Sequence, residues 1–163
     1  MCKSDRVNAE IAALIGQPLR EVVYYRPSEY EDCELNGPAG HDVGQGVELS
    51  FDGGHCFITW DTTLEEEIRV QPGRLIDWLL SGYFERMGSH ADWQPLIERP
   101  LTAVQVGQNE VRLNFGMQEV FIVTAEIDPL SGQIEGRTDN LVVFFDVNQR
   151  QAFWQQYPEQ SAP

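Results

Sequence analysis

The chain has 163 residues, 42% of them hydrophobic, which is enough for one substantial core and predicts a single domain over 1–163. Its 26 acidic and 11 basic residues give a formal charge of −15, a field that repels nucleic acid and anionic membranes and attracts basic partners. Cys2, Cys33 and Cys56 are too few and too scattered for a disulfide framework or a zinc site, and MCKSDRVNAE shows no apolar leader, so a reducing cytoplasm is the expected location.

In chain order, the first predicted element is a helix capped by Ser4 or Asp5, with Val7, Ile11 and Leu14 on one face and Gly16 as its stop. PLREVVYY (18–25) reads as a strand ended by Pro27. Ser28 and Glu31 have capping-box spacing, and the glycine-rich NGPAGHDVGQG (36–46) reads as a loop. Residues 47–60 alternate as a hairpin. Val47, Leu49, Phe51, Cys56, Ile58 and Trp60 share one face, with a turn predicted at Gly53-Gly54 that pairs Asp52 with His55. Phe57 interrupts the polar face. PGRLIDWLLSGYFERMG (72–88) has the spacing of a helix with a broad apolar stripe, predicted to form the spine of the core.

A second hairpin follows at 111–124. Val111, Leu113, Phe115, Phe121 and Ile122 repeat Val47, Leu49, Phe51, Phe57 and Ile58 at an offset of 64, and its turn is predicted at Gly116-Met117 with the pairing moved by two residues. Each hairpin is preceded by a Pro-Leu strand, which suggests half-repeats at 17–70 and 99–146. NLVVFFD (140–146) reads as a buried strand, Asp146 caps a helix over VNQRQAFWQQY, and 158–163 read as a frayed tail. The sum is α+β: an antiparallel sheet of about six or seven strands with helices packed on it.

No stretch carries a strong catalytic signature. His55 and Cys56 are neighbours on a strand, so they point to opposite faces and cannot form a dyad, and the register sends the thiol into the core. Cys33 lies in EYEDCE, where carboxylates disfavour the thiolate. His41 and Asp42 with His55, Asp52 and Asp61 form no recognised metal spacing, so no metal is assigned. The glycine loop lacks the Lys and the following helix of a phosphate-binding loop, and no cofactor motif is present. The acids of DTTLEEE (61–67) read as a solvated face rather than a glycosidase pair.

What stands out is the placing of charge. Residues 21–67 hold twelve carboxylates against Arg26 alone, about −11 of the total. The predicted partner-binding face is Glu29, Tyr30, Glu31, Asp32, Glu34, Asp61, Glu65, Glu66 and Glu67, with Phe57 and Trp60 as aromatic anchors. In size and charge the chain resembles bacterial toxin-immunity proteins, a likeness carried by no motif, so no residue roles are transferred. That resemblance implies a non-catalytic protein that sequesters a basic protein partner such as a toxin or a nucleic-acid-acting enzyme. Two other readings are a small-molecule enzyme or ligand-binding domain, with His41, His55 and Arg26 converging on a pocket between sheet and helices, and a subunit or adaptor of a larger assembly recognised by an apolar contact surface.

Overall fold

The computed structural model describes residues 8–27, 36–37, 40–60, 68–78, 84–87, 91–127, 131 and 134–156. Its elements are α1 (Ala9–Ala12), β1 (Leu19–Pro27), β2 (Asn36–Gly37), β3 (Gly40–Gly44), β4 (Gly46–Phe51), β5 (Gly54–Trp60), β6 (Ile68–Pro72), β7 (Phe84–Met87), β8 (Ala103–Val106), β9 (Glu110–Phe115), β10 (Gln118–Ile127), β11 (Ile134–Phe144) and α2 (Val147–Gln156). Short 3₁₀ segments stand at Leu75–Asp77 and Ala91–Leu96. The fold is α+β, but the strands do not form one sheet. They divide into two antiparallel sheets of five and six strands, ordered β6-β5-β4-β1-β7 and β2-β3-β11-β10-β9-β8.

Alternation in the sequence explains the division. Val22, Tyr24, Val47, Leu49, Cys56 and Ile58 on the first sheet, and Val111, Leu113, Val120, Ile122, Leu141 and Val143 on the second, enter a common core. Each sheet thus supplies the cover for the other that the sequence reading assigned to helices. The helix expected at 72–88 is absent among the described residues. β6 runs through Pro72, Gly73 turns the chain at φ 98°, Leu75–Asp77 makes one tight turn, and Phe84–Met87 pairs with β1 as an edge strand. A near-continuous apolar run satisfies helical and extended spacing alike, and the open edge of β1 decides for the strand. Leu75 packs closely on the sheet: a Cβ added to Gly46 would meet Leu75 Cδ2 at 2.4 Å and the Ile58 carbonyl at 2.8 Å. The close approach of this turn to the sheet therefore requires glycine there.

Other boundaries move for local reasons. α1 is capped by Asn8, whose side chain accepts from the Ile11 amide at 2.9 Å, and Ser4, Asp5 and Val7 lie outside the described residues. Much of the glycine-rich loop is ordered as β2 and β3, which extend the second sheet along β11. Gly40 permits this, because a Cβ there would meet Val142 Cγ1 at 2.9 Å and the Phe144 ring at 3.0 Å. α2 begins as expected, with Asp146 accepting from the Asn148 amide at 2.6 Å.

The first hairpin turns at Asp52-Gly53 rather than Gly53-Gly54, so Ser50 faces His55 and Leu49 faces Cys56. The slip is two residues, so every side chain keeps its face. Asp-Gly suits a two-residue turn well. This correction removes the supposed difference between the hairpins: Phe51 pairs Gly54 as Phe115 pairs Gln118, and Leu49 pairs Cys56 as Leu113 pairs Val120. β1 on β4 then matches β8 on β9, with Val22 opposite Leu49 and Val104 opposite Leu113.

The two halves meet at a motif the structure makes visible, LIGQPL at 14–19 and LIERPL at 96–101. Pro18 and Pro100 face one another in an antiparallel bridge. Around them the hydrogen bonds are reciprocal: Leu19 N to Arg99 O with Leu101 N to Gln17 O, and Gly16 N to Leu101 O with Glu98 N to Leu19 O. Each half is thus a short helical turn, a Pro-Leu strand and a hairpin with a further strand, related to the other by an approximate twofold. The offset is 82 before the insertion at 28–45 and 64 after it, so those 18 residues, which carry β2 and β3, interrupt only the first copy.

The repeat also isolates a strained residue. Gly16 and its counterpart Glu98 both have left-handed backbones, φ 93° and 71°, and Glu98 is the one non-glycine with positive φ among the described residues. Glu98→Gly is expected to stabilise the protein by about 0.5–1 kcal/mol, since removing left-handed strain outweighs the added freedom of the unfolded chain. The lost Arg20–Glu98 contact is exposed on both sides and weighs little. A urea midpoint lowered in Glu98→Gly would show that Glu98 sits there without strain, leaving only the entropic cost of glycine.

Candidate functional site

The nine polar residues of the predicted binding face, Glu29, Tyr30, Glu31, Asp32, Glu34, Asp61, Glu65, Glu66 and Glu67, lie outside the described residues. The strands that lead into them are described. β1 and β5 run parallel to one another on either side of β4, with Tyr25 opposite Gly46 and Gly46 opposite Thr59. Both therefore leave the sheet at the same end, β1 at Pro27 and β5 at Trp60. β6 re-enters at Ile68, which pairs with Trp60. At a strand spacing of about 4.8 Å, the roots of the two acidic runs are only about 10 Å apart.

Pairing elsewhere sharpens this distribution. Asp52 is held by Arg20 at 2.8 Å, and that guanidinium keeps its carboxyl below the usual range. Glu48 is buried and bonded by Arg74 Nε at 2.9 Å. Both arginines lie in sequence just outside the 21–67 window. Two of its twelve carboxylates are thereby balanced in space, and eight of the other ten belong in sequence to the two runs. Arg69 is exposed near the same sheet end, in register with Thr59.

The aromatic anchors separate. Phe57 is fully buried, packed with Val23, Tyr25 and Leu75 beneath the Trp78 ring, whose centroid is 5.7 Å away. Phe57 is therefore withdrawn as a surface anchor: the 3₁₀ segment after β6 covers it. Its counterpart Phe121 is covered in the same way by α2, with Arg150 4.9 Å from its ring centroid. Trp60 is half-buried against the core, and its indole donates to the Gly44 carbonyl at 3.3 Å. Among the described residues it remains the aromatic at the root of the second acidic run.

His55 does not pair with Asp52. Its Nδ1 lies 2.9 Å from Ser50 Oγ, as the corrected register requires. Cys56 is on the core side, its thiol pushed up to about 12 by burial and by the charge of Glu48, and so is unreactive. His41 stands on the other sheet, so the supposed convergence of His41 and His55 does not occur. No group of three or more His, Cys, Asp or Glu among the described residues is placed to hold a metal ion.

A second constellation was not anticipated. β3 brings His41 to Tyr24 of β1 and to Asp92 of the segment Ala91–Leu96. Trp93 Nε1 donates to Tyr24 Oη at 2.5 Å, Tyr24 Oη lies 2.9 Å from His41 Nδ1, and His41 Nε2 lies 2.8 Å from Asp92 Oδ2. An indole can only donate, and burial pushes the Tyr24 phenol far above its usual range, so it keeps its proton and gives it to Nδ1. The imidazole is then the Nε2–H tautomer, donating to Asp92. Tyr24, His41 and Trp93 are buried, while the Asp92 side chain is 57% exposed. It opens onto a cleft of about 370 Å³ walled by Gly40, Pro95, Leu96, Gln118, Phe145 and Asp146, among others. The cue in the sequence was the repeat of LIGQPL by LIERPL, which aligns Trp93 with Ile11 and Asp92 with Glu10 and so exposes them as departures from the first copy.

Compared with known protein families, curated proteins and solved structures, the chain matches none. No helix among the described residues is long and apolar enough to cross a membrane.

Proposed function

We propose that this is a non-catalytic binding protein that sequesters a basic protein at the end of its five-stranded sheet, an immunity or inhibitor protein in the broad sense. The observation that supports this is the departure of both acidic runs from the same sheet end, where Pro27 closes β1 and Trp60 closes β5. Eight carboxylates at 29–34 and 61–67 are joined there to one rigid frame. Such a surface can occupy the cationic groove of an enzyme that handles anionic substrates, and long-range attraction accelerates its capture. Glu29, Glu31, Asp32, Glu34, Asp61, Glu65, Glu66 and Glu67 supply the field, with Tyr30 and Trp60 as contact residues.

The test is capture from the native cell at low and high salt, with identification of the bound protein. A basic partner held at low salt is expected, with affinity reduced about a hundredfold or more in Glu65→Lys/Glu66→Lys/Glu67→Lys, since juxtaposed like charges cost several kcal/mol. A partner bound equally well by the triple variant would remove this surface from the account.

A further inference from the structure

The two copies differ along one sheet edge. In the first, Tyr24 of β1 pairs with Met87 of β7, which closes the side of β1 that β4 leaves open. The equivalent strand in the second copy is β8, with Val106 in the place of Tyr24, and β8 stands last in its sheet. Gly107 N donates to Glu110 O, so Gln105 and Ala103 also turn their backbone groups to β9, and Val104 and Val106 turn theirs outward. Among the described residues nothing bonds those outward N–H and C=O groups. The side chains of Val104 and Val106 face the core yet stay half-buried, as expected at an uncovered edge.

A bare edge is a liability, and the other outer strands carry the usual protections. β6 contains Arg69 and ends at Pro72, β7 contains Glu85 and Arg86, and β2 is two residues long. β8 reads AVQV, with no charge and no proline. Apolar side chains collect before it. Gly16 N bonds Leu101 O and Gly116 N bonds Thr102 Oγ1, which brings exposed Ile15 and fully exposed Met117 to the start of the strand. The other end meets the acidic surface: Gln108 O accepts from the Ile68 amide at 3.2 Å, and Ile68 is where the chain re-enters the sheet after 61–67.

Charge selects the occupant. A second copy presents the same edge, but two chains of −15 repel one another, whereas a cationic segment is drawn in. We propose that β8 is the docking edge for an extended, basic segment of the captured protein, added to the six-stranded sheet as a further strand. This rests on the capture role argued above and gives it a mode of recognition. The segment pairs its backbone with Val104 and Val106, lays apolar side chains beside theirs, and directs basic side chains towards 61–67. Long-range attraction then sets how fast the partner arrives, and the edge sets how long it stays.

The probe is a synthetic peptide of alternating valine and threonine flanked by lysines, compared with its backbone N-methylated counterpart, which keeps every charge but loses its amide donors. Both are titrated into the isotope-labelled full chain at low and high salt and followed by NMR. The unmodified peptide is expected to shift amides of 103–107, to slow hydrogen exchange at Val104 and Val106, and to bind about tenfold or more tightly than the N-methylated one. That ratio should survive high salt, which weakens the binding of both by screening. Val106→Pro removes an outward N–H that the ladder does not use, so it should fold, as circular dichroism will check, and lose most of the ratio. Equal binding of the two peptides, shifts confined to the acidic runs, or a ratio unchanged in folded Val106→Pro would overturn the docking edge and leave the acidic surface standing. Protection of Val104 and Val106 that grows with the concentration of the peptide-free chain would give the edge to a second copy and overturn it too. The converse failure is separate: a partner bound equally by Glu65→Lys/Glu66→Lys/Glu67→Lys would remove the acidic surface whatever the peptides do.

Discussion

Replacing Glu110 with alanine is expected to destabilise the protein by about 3–5 kcal/mol, because it strands a buried cation. The carboxylate is nearly inaccessible and takes Arg150 Nε and a terminal guanidinium nitrogen on its two oxygens, each at 2.8 Å, with the Trp154 indole donating at 2.7 Å. These bonds clamp α2 across the outer face of the second sheet, where Phe153 and Trp154 cover Phe121, Val123 and Phe144. Alanine would leave the guanidinium, largely buried over the Phe121 ring, with no anion, and the indole with no acceptor. Glu110→Gln keeps one acceptor and should lose less. Urea unfolding of both variants checks this, and a cost below about 1 kcal/mol for Glu110→Ala, the scale of an exposed pair, would show that the clamp is not desolvated.

Removing a single oxygen from Tyr24 is the second large expectation. Tyr24→Phe preserves the ring in the core but deprives Trp93 of its acceptor and His41 Nδ1 of its donor, leaving two buried polar groups unsatisfied. At about 1–3 kcal/mol for each group, the expected loss is about 2–6 kcal/mol. A control separates the hydroxyl from general intolerance of the site. Val106→Ala, at the equivalent position in the other copy, removes apolar atoms from a half-buried site and breaks no hydrogen bond, so it should cost less. Equal losses from the two, measured by thermal and urea unfolding, would mean that the polar chain adds nothing to packing.

Much of the strand structure could be read from the sequence because alternation is local and survives a slip of two. Both hairpins, their faces and the inward thiol of Cys56 follow from it, although the Asp52-Gly53 turn was placed one residue late. The region 72–88 was misread because Leu75, Ile76, Leu79 and Leu80 fit a helix as well as an extended chain, and the deciding factor, the open edge of β1, lies some sixty residues away. Whether strands share a sheet is likewise non-local. The half-repeats were suggested by the two hairpins and their Pro-Leu strands, and LIGQPL and LIERPL, which face each other across the Pro18–Pro100 bridge, show how the two copies meet. For the site, composition revealed the acidic excess, but not that Arg20 and Arg74 balance Asp52 and Glu48, nor that Phe57 lies under a turn. The Asp92–His41–Tyr24–Trp93 chain joins four residues from three separated segments. No spacing rule would have assembled it.

The central claim is that the two acidic runs act as one capture surface, and the association rate with the captured basic protein tests it most directly. Three variants are compared with the unaltered chain at low and high salt: Glu29→Gln/Glu31→Gln/Asp32→Asn/Glu34→Gln, Glu65→Gln/Glu66→Gln/Glu67→Gln, and the two combined. The account predicts that each set slows association by about tenfold or more at low salt, that the combination slows it further, and that the differences shrink as salt screens the field. Association by the combined variant as fast as by the unaltered chain, with the same salt dependence, would contradict it.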